Sequence, residues 1–349
     1  MATRIANRPI IKKLEYTENG TTVYELPRDR AIRRLSMRLN VKVNAGSSAP
    51  TSRKHNHYLN LVEKIRILRQ GHDAKIDVDA ISKYFADWFE NGVKPTESSI
   101  TSPAASGSAT YNCMFIFDFA QNRKALSDFS ALLNARALSS LQIVVVWKDI
   151  NAIFGTANGA SVDKTETYFE ISLDEVFDNQ APREQGDAGL DAYLSNARDI
   201  REQVSTPFVI TKKRDSFPTN MNTDDVEPVP ALILLEMIRC RKNITDGDPE
   251  HADDVIDYLR YQNIKGGQES IFYIRWEDWH DTLKQDNSLD TLPIGVGMIN
   301  WIQQRQGGLR NTDPDAIKLQ TLTPAPTSGK ENDYVIYRKF FAGAVSQEA

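Results

Sequence analysis

The chain has 349 residues, of which 40% are hydrophobic, and a formal net charge of −5 at pH 7. This length and apolar content predict two domains, since a domain usually holds about 100 to 200 residues. Cys113 and Cys240 have no paired spacing, and no apolar run is long enough to span a membrane, so the sequence argues against a disulfide framework and against a membrane-spanning helix. Because the opening residues lack the apolar core of a secretion signal, we expect a soluble protein with reduced cysteines.

Positive charge is concentrated near the start of the chain. Residues 1–70 contain fifteen Lys and Arg residues against five Asp and Glu residues, which leaves a balance of −15 for the remainder. A basic end on an acidic body is typical of a segment that meets phosphate, in nucleic acid or in lipid headgroups. A solvated basic face is the alternative interpretation.

The first half of the sequence alternates predicted strands and helices. Residues 34–44 alternate apolar with basic or polar side chains, which indicates an antiparallel strand with one exposed face. Residues 79–92 place Tyr84, Phe85 and Trp88 at helical spacing and predict an amphipathic helix. The other predicted elements are strands at 58–69, 113–119, 141–147 and 165–173, a helix carrying Leu126, Phe129 and Leu133, and a Ser/Thr-rich loop at 95–110.

A polar stretch at residues 177–204, with one short predicted helix near residues 193–200, separates the two halves. This stretch is the natural boundary between two domains. With an N-terminal arm before the first domain, the predicted organisation has four parts. They are an N-terminal arm at 1–30, a first domain at 31–178, a linker at 179–204 and a second domain at 205–349.

The second half begins with an apolar strand around residues 232–240. Asp248 and Pro249 are typical of the cap and first position of a helix, so residues 248–262 are predicted to be helical. The elements predicted after it are a strand at 270–276, a helical segment carrying Trp279 and Leu283, and strands at 293–302, 316–322 and 334–341.

The order of elements in the two halves indicates an internal duplication. The hexapeptide LVEKIR at 61–66 matches LLEMIR at 234–239, although one such match is expected by chance. The elements after each copy follow in the same order, with Tyr84 and Phe85 answering to Tyr258 and Leu259. Several matches in one order favour a degenerate repeat.

Short alternating strands with turn signals between them favour an antiparallel sandwich or barrel. Helical excursions between strand pairs are typical of a jelly roll with elaborated loops. The predicted fold is therefore all-β with short helices in loops, arranged as two tandem eight-stranded jelly rolls.

This architecture, over roughly residues 34–341, resembles the double jelly-roll major capsid proteins of icosahedral viruses, found in tectiviruses, corticoviruses, finnlakeviruses and adenovirus hexons. The resemblance implies a homotrimer with a pseudo-hexagonal base that tiles an icosahedral shell. It also implies an N-terminal segment on the inner face, towards membrane or genome. The basic residues that would suit this role are Arg4, Arg8, Lys12 and Lys13.

Two groups of residues suggest metal ligands. His55 and His57 form an HxH pair, but Glu63 lies farther away than the glutamate of a cupin-type site, and the flanking residues indicate a loop. The carboxylates Asp246 and Glu250 flank Asp248 and are weak candidates for a hard cation. Acidic residues at the start of a capped helix are the favoured interpretation, so no metal, cofactor or catalytic residue is predicted.

Glu63 and Glu236 occupy the same place in the two hexapeptides. Each shares a predicted strand face with apolar residues, so each must find a partner, such as an arginine, or emerge from the core. We interpret both as structural carboxylates, in an ion pair or an inter-domain contact.

The leading hypothesis is a non-enzymatic viral major capsid protein, located in the virion and assembled in the host cytoplasm. Its expected partners are further copies of itself, penton or minor capsid proteins, and membrane lipid or genome through the basic N-terminal region. The alternative is a receptor- or glycan-binding β-sandwich attachment protein. A cupin-like enzyme is disfavoured by the histidine spacing.

Overall fold

The computed structural model describes residues 4–95, 97, 101–121, 128–177, 190–217, 232–263, 270–286, 289–304, 309–310 and 317–342. The chain divides into two compact units. The first comprises Met1–Asp87 and Pro95–Ile200, and the second comprises Trp88–Lys94 and Arg201–Ala349.

The described part of the first unit is mostly β-strand. Its strands are β1 (Arg4–Glu15), β2 (Thr21–Glu25), β3 (Ala31–Asn44), β4 (Thr51–Arg53), β5 (Val62–Arg69), β6 (Asp73–Val78), β7 (Ser108–Asp118), β8 (Leu141–Trp147), β9 (Phe154–Thr156), β10 (Ser161–Val162) and β11 (Tyr168–Phe177). Its helical elements are α1 (Ala80–Asn91), whose last residues belong to the second unit, and α2 (Leu190–Ser195).

Eight of these strands form the two sheets of a jelly roll. One sheet has the order β1-β11-β3-β7 and the other has the order β2-β8-β5-β6, all antiparallel. The chain crosses repeatedly between the sheets, which is the connectivity of a jelly roll. β10 extends the pairing at the end of β3, and β4 pairs with β9 in a separate ribbon.

Alternation along β3 places the core of the first unit. The inward side chains are all fully buried, namely Leu35, Met37, Leu39, Val41 and Val43. Arg38 on the other face is exposed. Each buried Leu or Val side chain contributes roughly 1.5–3 kcal/mol relative to an exposed one, so the predicted half-exposed strand is confirmed.

The second unit contains the remaining elements. Its strands are β12 (Asp199–Val204, which starts at the end of the first unit), β13 (Phe208–Ile210), β14 (Leu232–Lys242), β15 (Glu250–His251), β16 (Tyr258–Asn263), β17 (Ser270–Arg275), β18 (Val296–Asn300), β19 (Leu309–Arg310), β20 (Ile317–Leu322) and β21 (Asn332–Ala342). Its helices are α3 (Trp276–Asp286) and α4 (Trp301–Gln304).

The second unit repeats the strand order of the first. β14 lies between β21 and β18, as β3 lies between β11 and β7, and β16 lies between β17 and β20, as β5 lies between β6 and β8. β13 pairs with β21, and an isolated bridge joins Arg214 to Thr323 beside β20. The fold prediction of two tandem jelly rolls is confirmed.

The strands of the two halves correspond to each other differently from the way inferred from the sequence. The strand with LVEKIR, β5, corresponds to β16, whereas the strand with LLEMIR, β14, corresponds to β3. Helix α1 lies between β6 and β7, so its counterpart is α3, between β17 and β18. The pairing of Tyr84 and Phe85 with Tyr258 and Leu259 is therefore wrong.

Two predicted helices are absent from the described residues. Residues 258–262 lie in β16, which pairs on both sides, so strand pairing overrides the local capping signal at Asp248. Residues 128–134 contain a turn, and Leu133 forms a bridge with Ile32 instead of continuing a helix. Leu126 lies outside the described residues.

The predicted arm at residues 1–30 is wrong over most of its length, because it contains β1 and β2 of the first jelly roll. A shift of register between Arg8 and Lys12 interrupts the pairing of β1 with β11. Such a bulge breaks the alternation from which a strand is recognised. The other domain boundaries remain predictions, and residues 178–189 of the predicted linker lie outside the described residues.

Gly297 provides a test of how α3 packs on β18. A Cβ atom at this position would lie 2.5 Å from Cζ3 of Trp279, which is 2% exposed and closely packed. We expect Gly297→Ala to lower the free energy of unfolding by about 1–3 kcal/mol, measured by urea denaturation. The loss should be much smaller in a Trp279→Leu background, and an equal loss there would contradict this packing.

Candidate functional site

The four basic residues predicted to face the interior of a shell lie on β1. Arg4 begins the strand, Arg8 precedes its bulge, and Lys12 and Lys13 follow it. Lys12 and Lys13 are exposed. The ammonium of Lys13 lies 4.1 Å from the centre of the Tyr168 ring, so it is a cation over an aromatic face.

Arg8 is held against the first unit by two carboxylates. Its Nε lies 2.9 Å from Oε2 of Glu175, and its Nη2 lies 2.9 Å from Oδ2 of Asp29. Burial raises the pKa of Glu175, although Arg8 and Arg30 oppose this shift. The Arg8 guanidinium therefore forms an ion pair with the buried carboxylate of Glu175 instead of extending into solvent.

Most of the positive charge of residues 1–70 is paired within the first unit. This unit has 24 Lys and Arg residues and 23 Asp and Glu residues, so it is almost neutral. The basic side chains of residues 1–70 that form ion pairs there are Arg8, Lys13, Arg28, Arg30, Arg33, Arg34, Lys42, Lys64, Arg66 and Arg69. The basic end of the sequence therefore meets carboxylates of its own unit.

The innermost of these pairs joins β3 to β7. Nη1 of Arg33 and Nε of Arg34 donate to the same oxygen, Oδ1 of Asp118, at 2.9 Å and 2.7 Å. Arg33 and Asp118 are each 2% exposed. Removing one partner from such a cluster would leave a buried charge, so the cluster favours one register between the two strands.

Glu236 lies at the centre of the second unit. It is fully buried on β14, and its Oε1 accepts a hydrogen bond from Nε of Arg338 on β21 at 2.7 Å. The two residues are directly opposite in the antiparallel register. Arg338 is not among the residues predicted from the sequence, where its signal is an Arg-Lys pair inside the otherwise apolar stretch YVIYRKFF.

Glu63 does not share this environment. It is exposed at the start of β5, where the pairing with β8 shifts register between Val62 and Lys64. Leu59 and Leu61 precede the strand in a short 3-10 helix, so the assumed apolar face is not continuous. The expectation that Glu63 shares a strand face with Leu59 and Leu61 is therefore wrong, and its role as a structural carboxylate stays a prediction.

The two histidines of the HxH pair have different surroundings. His55 is exposed, whereas His57 is 4% exposed and contacts the rings of Tyr58, Tyr111 and Phe154. Neither ring nitrogen of His57 has a hydrogen-bond partner among the described residues. Burial, with the nearby charge of Arg53, lowers the pKa of His57 to about 4, so it is a neutral core residue.

The weak metal candidates do not form a common cage in the described part of the chain. Asp246 pairs with Lys330, and Glu250 lies exposed on β15. Asp248 lies between them, partly buried. The described residues contain no group of three or more His, Cys, Asp or Glu side chains arranged to hold a metal ion.

The described helices are also too short or too polar to cross a bilayer.

Solved structures with the same fold are viral capsid proteins. The chain is similar to the crystal structure of the STIV (Sulfolobus Turreted Icosahedral Virus) major capsid protein, with a TM-score of 0.74 and 15% identity over 99% of each chain. For PBCV-1 VP54 the TM-score is 0.60, with 11% identity over 98% of this chain and 94% of that one. For the major capsid protein P2 of bacteriophage PM2 it is 0.53, with 9% identity over 99% and 100%.

No family model matches the chain, and no curated protein matches its sequence. The structural similarities extend over almost the whole chain and cover both jelly rolls. The fold is therefore the double jelly roll of viral major capsid proteins, which confirms the resemblance at the level of the fold.

Glu236 and Glu63 form a matched pair for mutation. Glu236→Gln leaves the Arg338 charge buried without its carboxylate, so we expect the free energy of unfolding to fall by about 3–5 kcal/mol. Glu63→Gln should change it by less than about 0.5 kcal/mol, because the side chain is exposed. Urea denaturation of both variants would measure the two changes in stability. Equal losses would contradict the placement of Glu236 in a buried ion pair and of Glu63 on the surface.

His57 should make the first unit less stable in acid. Its pKa is about 4 in the folded chain and about 6.5 when unfolded, so the unfolded chain takes up the extra proton as the pH falls from about 6.5 to 4. This removes up to about 3 kcal/mol of stability across that window. Urea denaturation at several pH values should show this slope reduced in His57→Phe and retained in the His55→Gln control.

Proposed function

We propose that the chain is the major capsid protein of an icosahedral virus. The observation that carries the proposal is the alignment with the STIV major capsid protein over 99% of both chains, since this alignment spans both jelly rolls. At 15% identity this similarity shows the fold, and two of the compared proteins of this fold are named as major capsid proteins.

The proposed assembly unit is a homotrimer. Two jelly rolls per chain give six in a trimer, which suits a pseudo-hexagonal unit. Trimers would tile the shell through heterologous contacts, in which different surfaces of neighbouring copies meet. The role is structural and non-enzymatic, the location is the virion, and assembly takes place in the host cytoplasm with penton or minor capsid proteins.

The inner-face role of β1 belongs to the same proposal. Lys12 is exposed on this strand, and Lys13 beside it is about half exposed although its ammonium lies 3.7 Å from Glu170. Arg8 is committed to Glu175 and Asp29, so it supplies less charge to an outside partner. The partner of this face would be a phosphate-bearing surface, in internal membrane lipid or genome.

Mass and imaging test the capsid proposal together. We expect the full chain to have the mass of a trimer by light scattering, and electron microscopy to show a pseudo-hexagonal lattice or closed particles. A protein that stays monomeric at all concentrations and joins no particle would contradict the proposal. Binding to a glycan array by such a monomer would favour the attachment-protein alternative.

A further inference from the structure

One sheet face of the second unit is rich in aromatic side chains and carries a fixed cation. We name the outer face of β16, β17 and β20 the aromatic–arginine face and define it by Phe217, Tyr258, Arg260 and Tyr273. The Tyr258 and Tyr273 rings are stacked, with centres 5.7 Å apart and 14° between their planes. The Phe217 ring meets Tyr273 edge-on at 5.9 Å. These contacts make a continuous aromatic surface.

Tyr273 distinguishes this face from other apolar residues on the surface. It is 55% exposed, and it is the one aromatic residue among the large hydrophobic side chains found exposed in the described residues. The other sheet of the same unit is different, because β14 and β21 are buried at almost every position on both faces. Strands β14 and β21 are therefore covered on both faces, whereas the sheet of β16, β17 and β20 carries the exposed ring of Tyr273 beside the half-buried Tyr258 and Arg260.

Arg260 is fixed in place without a carboxylate. Its guanidinium carbon lies 4.0 Å from the centre of the Phe217 ring. Its Nε donates to Oε1 of the buried Gln320 at 2.7 Å, and its Nη2 donates to the same oxygen. No carboxylate contacts Arg260 within the described part of the chain. Partial burial lowers the pKa of Arg260.

A guanidinium has five N–H donors, and this one uses Nε and Nη2 on a neutral amide. Its Nη1 has no acceptor among the described residues, so the group can still bind an anion in a fixed geometry. Tyrosine and arginine are also the side chains that, with tryptophan, most often dominate the energy of protein interfaces. A rigid cation beside an exposed tyrosine ring therefore fits a protein partner that brings a carboxylate.

We propose that the aromatic–arginine face is the interface at which a second copy of this chain docks, with a carboxylate of that copy binding Arg260. The inference rests on the proposed function, because a shell requires copies of one chain to contact each other. Charge complementarity supports it, since the second unit has 24 Asp and Glu residues against 18 Lys and Arg residues. The chain itself thus supplies the anion in excess.

The positive charge of Arg260 also determines whether the contact between copies is two-fold or heterologous. The face contains Arg260 and no carboxylate, so a two-fold contact of this face with itself gives Arg260 no counter-charge, and one centred on Arg260 brings two partly desolvated cations together. The carboxylate must come from another surface of the neighbouring copy. The contact is therefore heterologous, and its repetition gives either a closed ring or an extended lattice.

Assembly of the full chain tests the interface, with Tyr273→Ser, Arg260→Gln and the control Val23→Ser. Val23 is 54% exposed on β2 and lies outside the face, so its loss should leave assembly unchanged. We expect Tyr273→Ser and Arg260→Gln each to raise at least tenfold the protein concentration needed for half-maximal assembly, measured by light scattering. Added salt should weaken assembly of the wild type more than that of Arg260→Gln.

Thermal unfolding of each variant checks that it is folded, and Tyr273→Phe provides a milder substitution that keeps the ring and should assemble. Wild-type particles with equally good assembly of both face variants would overturn the interface while leaving the capsid role intact. Wild-type protein that never assembles would overturn both. Binding of an acidic glycan that Arg260→Gln abolishes, with unchanged assembly, would also overturn the interface.

Discussion

Pairing between strands that are distant in the sequence is the constraint on which both units depend. In the first unit, Arg4 of β1 is opposite Phe177 of β11, and in the second, Leu232 of β14 is opposite Phe341 of β21. Closing such long loops costs chain entropy, which is offset only when the strands pair along much of their length. These pairings determine which side chains lie in the core and which charged side chains meet.

Buried charge reinforces the same pairings. Asp118 and Arg34 are opposite in the register of β7 and β3, and Glu236 and Arg338 are opposite in that of β14 and β21. A shift of one residue would move each charge to the other face of its strand and separate it from its partner. These ion pairs contribute specificity of register more than net stability, because desolvation offsets much of their attraction.

The sequence was sufficient for the fold class because alternation along strands such as residues 34–44 depends on local pattern. It was insufficient where distant partners decide the outcome. The cap signal at Asp248 is a favourable local feature, yet the residues after it pair with β17 and β20. Glu63 and Glu236 have nearly identical neighbours in sequence, yet they lie on strands that are not equivalent, and Glu63 lies at a register shift at the start of β5.

The duplication preserved the order of strands but not their outer faces. On the first unit, Lys64 and Arg66 of β5, the counterpart of β16, both pair with Asp77 of β6, so neighbouring strands balance the charge of that face. On the second unit, the Arg260 charge is met by an amide and a ring, beside the exposed ring of Tyr273. A face that balances its own charge gains little from a partner, whereas an arginine held without its counter-charge gains much. The asymmetry between the two jelly rolls therefore gives the chain two unlike surfaces, as a heterologous assembly requires.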